Sequence, residues 1–168
     1  MMKTAAKTPK VEGKKETTAK KTVRNEEALK EEALDLCRRL EEHGLIPFDG
    51  VSIDFHRRRP VIVFDPRSET SHIVKIDDLL RFLTERGVRR VLIDALFPSR
   101  VPTIADLLQQ HTIEVFVLRR TTALSGFKAM VQRRYEDIKI PRKNDYVDSV
   151  ALAFTWPKFH RKIDLRLC

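Results

Sequence analysis

The sequence predicts an α/β domain in which a mixed five-stranded sheet is flanked by helices. Short apolar runs follow one another closely between residues 51 and 74, which is typical of hairpin-connected strands. Beyond residue 76, apolar runs alternate with helical patterns, as in right-handed crossover connections. The chain has 168 residues and is 42% hydrophobic, which suits one domain with a sizeable core.

Residues 1–24 form a basic tail that is predicted to be disordered. They contain eight Lys or Arg and two Glu, and so carry +6 of the net charge of +9, with almost no large apolar residue. Such a tail can hold a phosphate backbone in a salt-sensitive way, or it can act only as a solubilising extension.

An N-terminal helix is predicted over 25–43, with Asn25 as its cap and Gly44 as its end. Its apolar stripe has helical spacing and consists of Leu29, Ala33, Leu36, Cys37 and Leu40. Three strands follow at 51–55, 61–64 and 71–74, and then a helix that begins near Ile76 and ends at Gly87.

A buried strand is predicted at 91–93, and a short helix over 103–110 with Thr103 as its cap. The fifth strand is predicted at 113–118, followed by helices at 123–135 and 145–156. The folded domain is therefore expected over 50–157, and 158–168 is expected to be a basic C-terminal tail.

Several classes of protein are disfavoured by composition. No run of 18 apolar residues is present and no apolar segment follows Met1, so neither a membrane span nor a secretory signal is expected. The two cysteines, Cys37 and Cys168, do not suggest a disulfide scaffold and fit a cytoplasmic protein. No glycine-rich phosphate loop is present.

Four acidic residues stand where the predicted sheet would bring them together. Asp54 ends the first strand, Asp94 ends the fourth, and Asp145 and Asp148 share one face of the last helix. Clustered carboxylates raise one another's pKa, and a hard divalent cation such as Mg²⁺ or Mn²⁺ relieves that conflict. Two such ions can support phosphodiester hydrolysis. Each acid alone is more often a turn former, a helix cap or part of a solvated face.

These segments resemble the ribonuclease H-like superfamily, in its RuvC-like branch. The resemblance covers about residues 50–157 and rests on VSID at 51–54, VLIDA at 91–95 and KNDYVDSVALA at 143–153. The last segment is similar to the final helix of Holliday-junction resolvases and of the nuclease domain of Asp-Glu-Asp-Asp insertion-sequence transposases. The resemblance implies a ribonuclease H-like fold and the role of catalytic metal ligand for Asp54, Asp94, Asp145 and Asp148.

Two departures from that family pattern matter. The second ligand is usually Glu, whereas this chain has Asp94, whose side chain is one methylene shorter. The transposases also continue into a second domain with a catalytic Ser, and this chain ends at Cys168.

Basic residues near the acidic positions are predicted to contact phosphates without reading bases. They are Arg119, Arg120, Lys128, Arg133, Arg134, Arg142 and Lys143.

The leading hypothesis is a metal-dependent endonuclease that acts on branched or structured DNA, with RNA as a further substrate class. The oligomeric state is left open, and a homodimer is the form that the analogy with resolvases implies. A second hypothesis is an inactive nucleic-acid-binding module within a larger assembly, and a third is a protein-interaction domain that docks through its first helix.

Overall fold

The computed structural model describes residues 25–55, 60–109, 113–120, 122–141 and 144–164. The predicted tail over 1–24 and Cys168 lie outside the described residues. Within them, six strands form one sheet in the order β3-β2-β1-β4-β5-β6. The strands are β1 (Val51–Asp54), β2 (Val61–Asp65), β3 (Thr70–Val74), β4 (Arg90–Ile93), β5 (Glu114–Leu118) and β6 (His160–Lys162).

The sheet is mixed, as the sequence predicts. Strand β1 pairs antiparallel with β2, which pairs antiparallel with β3, while β4 lies parallel to both β1 and β5. Strand β6 adds antiparallel to β5, with Leu118 opposite His160. The expectation of five strands was therefore wrong, because a sixth forms inside the segment that was expected to be a basic tail.

Helices cover both faces of the sheet. Helix α1 spans 25–42, and it is followed by α2 (Leu79–Glu85), α3 (Val101–Gln109), α4 (Thr122–Arg134) and α5 (Asp145–Phe154). Short 3₁₀ turns precede α2, α3 and β6. Helix α3 begins before Thr103, which was expected to be its cap, because Pro102 fits the first turn of a helix without losing an intrahelical hydrogen bond.

The apolar residues alternate along the strands between two core layers. Val51 and Ile53 face α2 and α3, whereas Ile62 and Phe64 pack with α1, α4 and α5. On β1, the positions on the α5 side are occupied by Ser52 and Asp54, which are both buried. Helix α5 lies against β1 and β2. The first turn of α5 and the C-terminal end of β1 therefore determine how Asp54, Asp145 and Asp148 are placed.

One glycine is required by close packing at the start of β1. Gly50 has φ of +153°, and a β-carbon there would overlap the backbone carbonyl of Arg90, the first residue of β4. The close approach lets the two parallel strands begin side by side.

No helix in the described part of the chain is both long and apolar enough to cross a membrane.

Candidate metal centre

Helix α5 begins at a buried cap that fixes the position of its first turn. The side-chain oxygen of Asn144 accepts hydrogen bonds from the backbone N–H groups of Tyr146 and Val147, at 3.0 and 3.2 Å. Its amide nitrogen donates to the carbonyl of Leu29 and to the carboxylate of Glu32, both at 3.1 Å. Asn144 therefore ties α5 to α1, and its preference for the cap position is visible in the sequence.

A second contact fixes α5 against β1. The buried hydroxyl of Ser52 donates to the carbonyl oxygen of Ser149 at 2.6 Å. Asp54 lies two residues after Ser52 and so points to the same side of the strand. Asp145 lies four residues before Ser149, and Asp148 lies next to it, so the acidic face of α5 lies over the end of β1.

Three of the four predicted ligands come together at this place. Carboxylate oxygens of Asp54, Asp145 and Asp148 all lie within 4.8 Å of one another. Asp54 is only 6% exposed, and the other two are half-buried. Three carboxylates this close repel one another, and partial burial strengthens the repulsion because water screens it less. Such a group has the donor set and spacing for a hard divalent cation.

Asp94 is near this group but is not a member of it. It follows Ile93, which pairs with Ile53 across the parallel strands β1 and β4, so the predicted adjacency of the two strand ends is present. One carboxylate oxygen of Asp94 accepts a hydrogen bond from the backbone N–H of Phe55 at 3.2 Å. The short Asp side chain thus contacts the backbone directly after β1.

Lys128 of α4 reaches the carboxylate cluster from the neighbouring helix. Its Nζ lies 2.7 Å from a carboxylate oxygen of Asp148, and the two side chains are 26% and 30% exposed. The contact is a charge-assisted hydrogen bond shielded from most of the solvent, so it is stronger than a surface ion pair. Lys128 was predicted to contact phosphate, and here it neutralises part of the carboxylate charge.

The other predicted phosphate contacts lie at different distances from the carboxylates. Arg119 and Arg120 are exposed directly after β5, which runs parallel to β4 and β1, so they share the carboxyl edge of the sheet with Asp54. Arg133 and Arg134 are exposed at the end of α4, roughly one and a half turns beyond Lys128. Arg142 and Lys143 lie outside the described residues.

A second group of potential ligands has a simpler explanation. The sulfur of Cys37 and carboxylate oxygens of Glu41 and Glu69 lie within 4.8 Å of one another. The thiol donates a hydrogen bond to Glu41 at 3.3 Å, and burial together with Glu41 raises its pKa far above the ordinary value. This hydrogen bond accounts for the closeness of Cys37 and Glu41 without a metal ion. The sequence gave no indication that Cys37, Glu41 and Glu69 lie together, because Glu69 comes from the turn between β2 and β3, far from α1 in sequence.

Comparison with known proteins returned no match, either to a protein-family model or to a curated protein.

Proposed function

We propose that this protein is a metal-dependent endonuclease of RuvC-like type that hydrolyses phosphodiester bonds in branched or structured DNA. The observation that carries the proposal is the convergence of Asp54, Asp145 and Asp148, from a strand end and a helix far apart in sequence, within 4.8 Å. Carboxylates on a rigid sheet and an anchored helix are what a divalent cation needs for a fixed geometry.

The residues of the site have three kinds of role in the proposed reaction: cation ligand, structural support and phosphate contact. Asp54, Asp145 and Asp148 hold Mg²⁺ or Mn²⁺, which when bound supplies a Lewis acid for water activation and for the leaving oxygen. Ser52 and Asn144 keep the backbones of β1 and α5 in place. A cation held by Asp148 would compete with the ammonium group of Lys128, which would then be available for a phosphate oxygen of the substrate.

The charge of the surrounding surface supports a polyanionic substrate. Residues 25–168 contribute only +3 of the net charge of +9, so the basic character of the site rests on particular side chains. Arg119 and Arg120 are exposed at the same edge of the sheet as Asp54, where they are placed to contact a phosphate backbone that enters the site. Such contacts position a substrate without selecting its sequence.

A cleavage and binding assay on the full chain tests this function. Four-way, single-stranded and duplex DNA are offered with Mg²⁺, with Mn²⁺ and with chelator. We expect cation-dependent cleavage that is lost in Asp54→Asn and Asp148→Asn, while DNA binding is kept. Asp106→Asn is the matched control, because Asp106 is an exposed carboxylate of α3 that lies outside the cluster. Full cleavage by both active-site variants would overturn the proposal.

A second candidate function is an inactive nucleic-acid-binding module, working within a larger assembly. It is favoured by the contact of Asp94 with the backbone of Phe55 and by the ion pair of Lys128 with Asp148, which both reduce the carboxylate surface open to cations. It predicts salt-dependent binding of DNA or RNA and no cleavage with either cation. Removal of residues 1–24 would then lower the slope of log affinity against log salt concentration.

A further inference from the structure

A cleft lies at the end of the sheet where β1 and β4 begin, opposite the end that carries the carboxylates. Three connections line it: the segment before β1 (46–50), the turn after β2 (65–67) and the segment before β4 (86–90). Its volume is about 750 Å³, which lies within the range of sites for small organic ligands, roughly 300–1,000 Å³. None of the predicted site residues lines it.

The charged residues of the cleft leave an excess of positive charge. Four arginines and two aspartates line it, so its net charge is +2. The carboxylate of Asp49 lies 4.0 Å from Arg67 and 3.9 Å from Arg90, which is too far for a hydrogen bond. Asp65 accepts the backbone N–H of Arg67 within its own turn. The guanidinium donors of the cleft are therefore only weakly engaged by its two carboxylates.

Arg90 is held in place by aromatic rings. Its guanidinium carbon lies 5.4 Å from the centroid of Phe48 and 4.9 Å from that of Phe116. Its Nε is buried and has no hydrogen-bond partner among the described residues. The two rings therefore hold the guanidinium group of Arg90 in a fixed position at the wall of the cleft.

The same cleft offers apolar surface next to its arginines. Ile46 is 86% exposed, an unusual position for a large aliphatic side chain, and Pro47, Phe48 and Val88 continue the apolar wall. Guanidinium groups bind phosphate through paired hydrogen bonds, and nucleobases pack their flat faces against apolar and aromatic side chains. Phosphate and base are two of the three chemical parts of a nucleotide, and the sugar joins them.

We propose that this cleft binds a nucleoside phosphate, with the phosphate held by Arg67 and Arg89 and the base packed against Ile46 and Pro47. Free mononucleotides and the terminal nucleotide of a nucleic-acid strand both supply this chemistry. The site is independent of the carboxylate cluster, because it lies at the other end of β1.

Calorimetric titration of the full chain tests the proposal. The probes are adenosine monophosphate, adenosine triphosphate, inorganic phosphate and a short oligonucleotide with and without a 5′-phosphate, all with chelator so that no cation occupies the carboxylates. We expect nucleotides to bind more tightly than inorganic phosphate. Stronger binding of the phosphorylated oligonucleotide than of the mononucleotides would assign the site to strand ends, and the reverse order would assign it to free nucleotides.

Matched variants distinguish nucleotide binding in this cleft from nonspecific attraction to positive charge elsewhere on the protein. The double variant Arg67→Gln with Arg89→Gln should weaken nucleotide binding by at least about tenfold, since charge-assisted hydrogen bonds are lost. The control, Arg81→Gln with Arg161→Gln, removes two exposed arginines outside the cleft and should leave binding unchanged. Ile46→Ser should weaken nucleotide binding and leave inorganic phosphate binding unaffected.

Two results would overturn the proposal. One is the absence of nucleotide binding in the unmodified chain, and the other is an equal loss of affinity in the two double variants. Asp54→Asn should keep nucleotide binding intact, so failure of the nuclease proposal would not by itself affect this site.

Discussion

Substitution of Lys128 by Met tests whether its ammonium group competes with a divalent cation for the carboxylate of Asp148. The ammonium group of Lys128 lies 2.7 Å from a carboxylate oxygen of Asp148. A divalent cation that binds Asp148 must displace or weaken that contact. Removal of the ammonium group should therefore strengthen cation binding.

The size of the effect follows from the geometry of this ion pair. Both side chains are less than one-third exposed, at 26% and 30%, so solvent screening is limited. A hydrogen bond to a charged group contributes about 1.5–3 kcal/mol. If cation binding forfeits this contribution, Lys128→Met should raise Mn²⁺ affinity roughly 10- to 100-fold.

Isothermal titration of the full chain with Mn²⁺ measures this change. The control is Lys162→Met, because Lys162 forms a more exposed ion pair with Glu114 at the β5–β6 edge, 3.2 Å long. That variant should leave Mn²⁺ affinity unaltered. DNA affinity of Lys128→Met should decrease at the same time, since a phosphate contact is lost. Unchanged or weaker Mn²⁺ binding by Lys128→Met would refute the view that its ammonium group competes with the cation.

Three further predictions concern the fold that holds the site. Gly50→Ala should lower the free energy of unfolding by about 3 kcal/mol or more, because a β-carbon would overlap the carbonyl of Arg90. The control is Gly44→Ala, since Gly44 has φ of +87° and open space around it, and this variant should cost only about 1 kcal/mol. Urea denaturation measures both. Asn144→Ala should lower the free energy of unfolding by about 2 kcal/mol, since it removes the buried cap of α5, and a loss below a few tenths of a kcal/mol would show that the cap is dispensable. The pKa of His160 lies below its ordinary value because of burial and the nearby Arg90, so the unfolded chain binds more protons and stability should decrease as the pH falls below about 6.5. His160→Gln should make the unfolding free energy less dependent on pH in that range, and an unchanged pH profile would contradict this.

Strands β1 and β4 and helix α5 could be predicted because their signals are local. Strongly apolar runs define the two strands, which were expected to be adjacent in a mixed sheet and which pair in parallel. The spacing of Asp145 and Asp148 predicts that both lie on one helix face. Four acids were expected to meet at the strand ends; Asp54, Asp145 and Asp148 do so, and Asp94 lies outside the group.

Strand β6 could not be predicted, because its sequence contains no strand pattern. Its residues are His160, Arg161 and Lys162, and none is apolar. The strand forms because the edge of β5 accepts it, with Lys162 paired to Glu114 and Ile163 buried directly after it. Tertiary pairing of this kind overrides intrinsic propensity.

The direction of individual side chains was also beyond the sequence. Asp94 lies at the predicted strand end, and its carboxylate accepts a hydrogen bond from the N–H of Phe55. Whether this hydrogen bond forms depends on backbone positions to within about an ångström, which the sequence does not specify. The ion pair of Lys128 with Asp148 depends on how α4 packs beside α5. The cleft at the other end of β1 could not be predicted, because its arginines come from two connections that are far apart in sequence.

The most direct measurement of the central claim is Mn²⁺ binding followed by electron paramagnetic resonance on the full chain and two variants. We predict saturable binding to the unmodified protein, loss of that binding in Asp145→Asn, and unaltered binding in Asp106→Asn. Equal Mn²⁺ binding by all three proteins, or no saturable binding by any of them, would contradict a cation site formed by Asp54, Asp145 and Asp148.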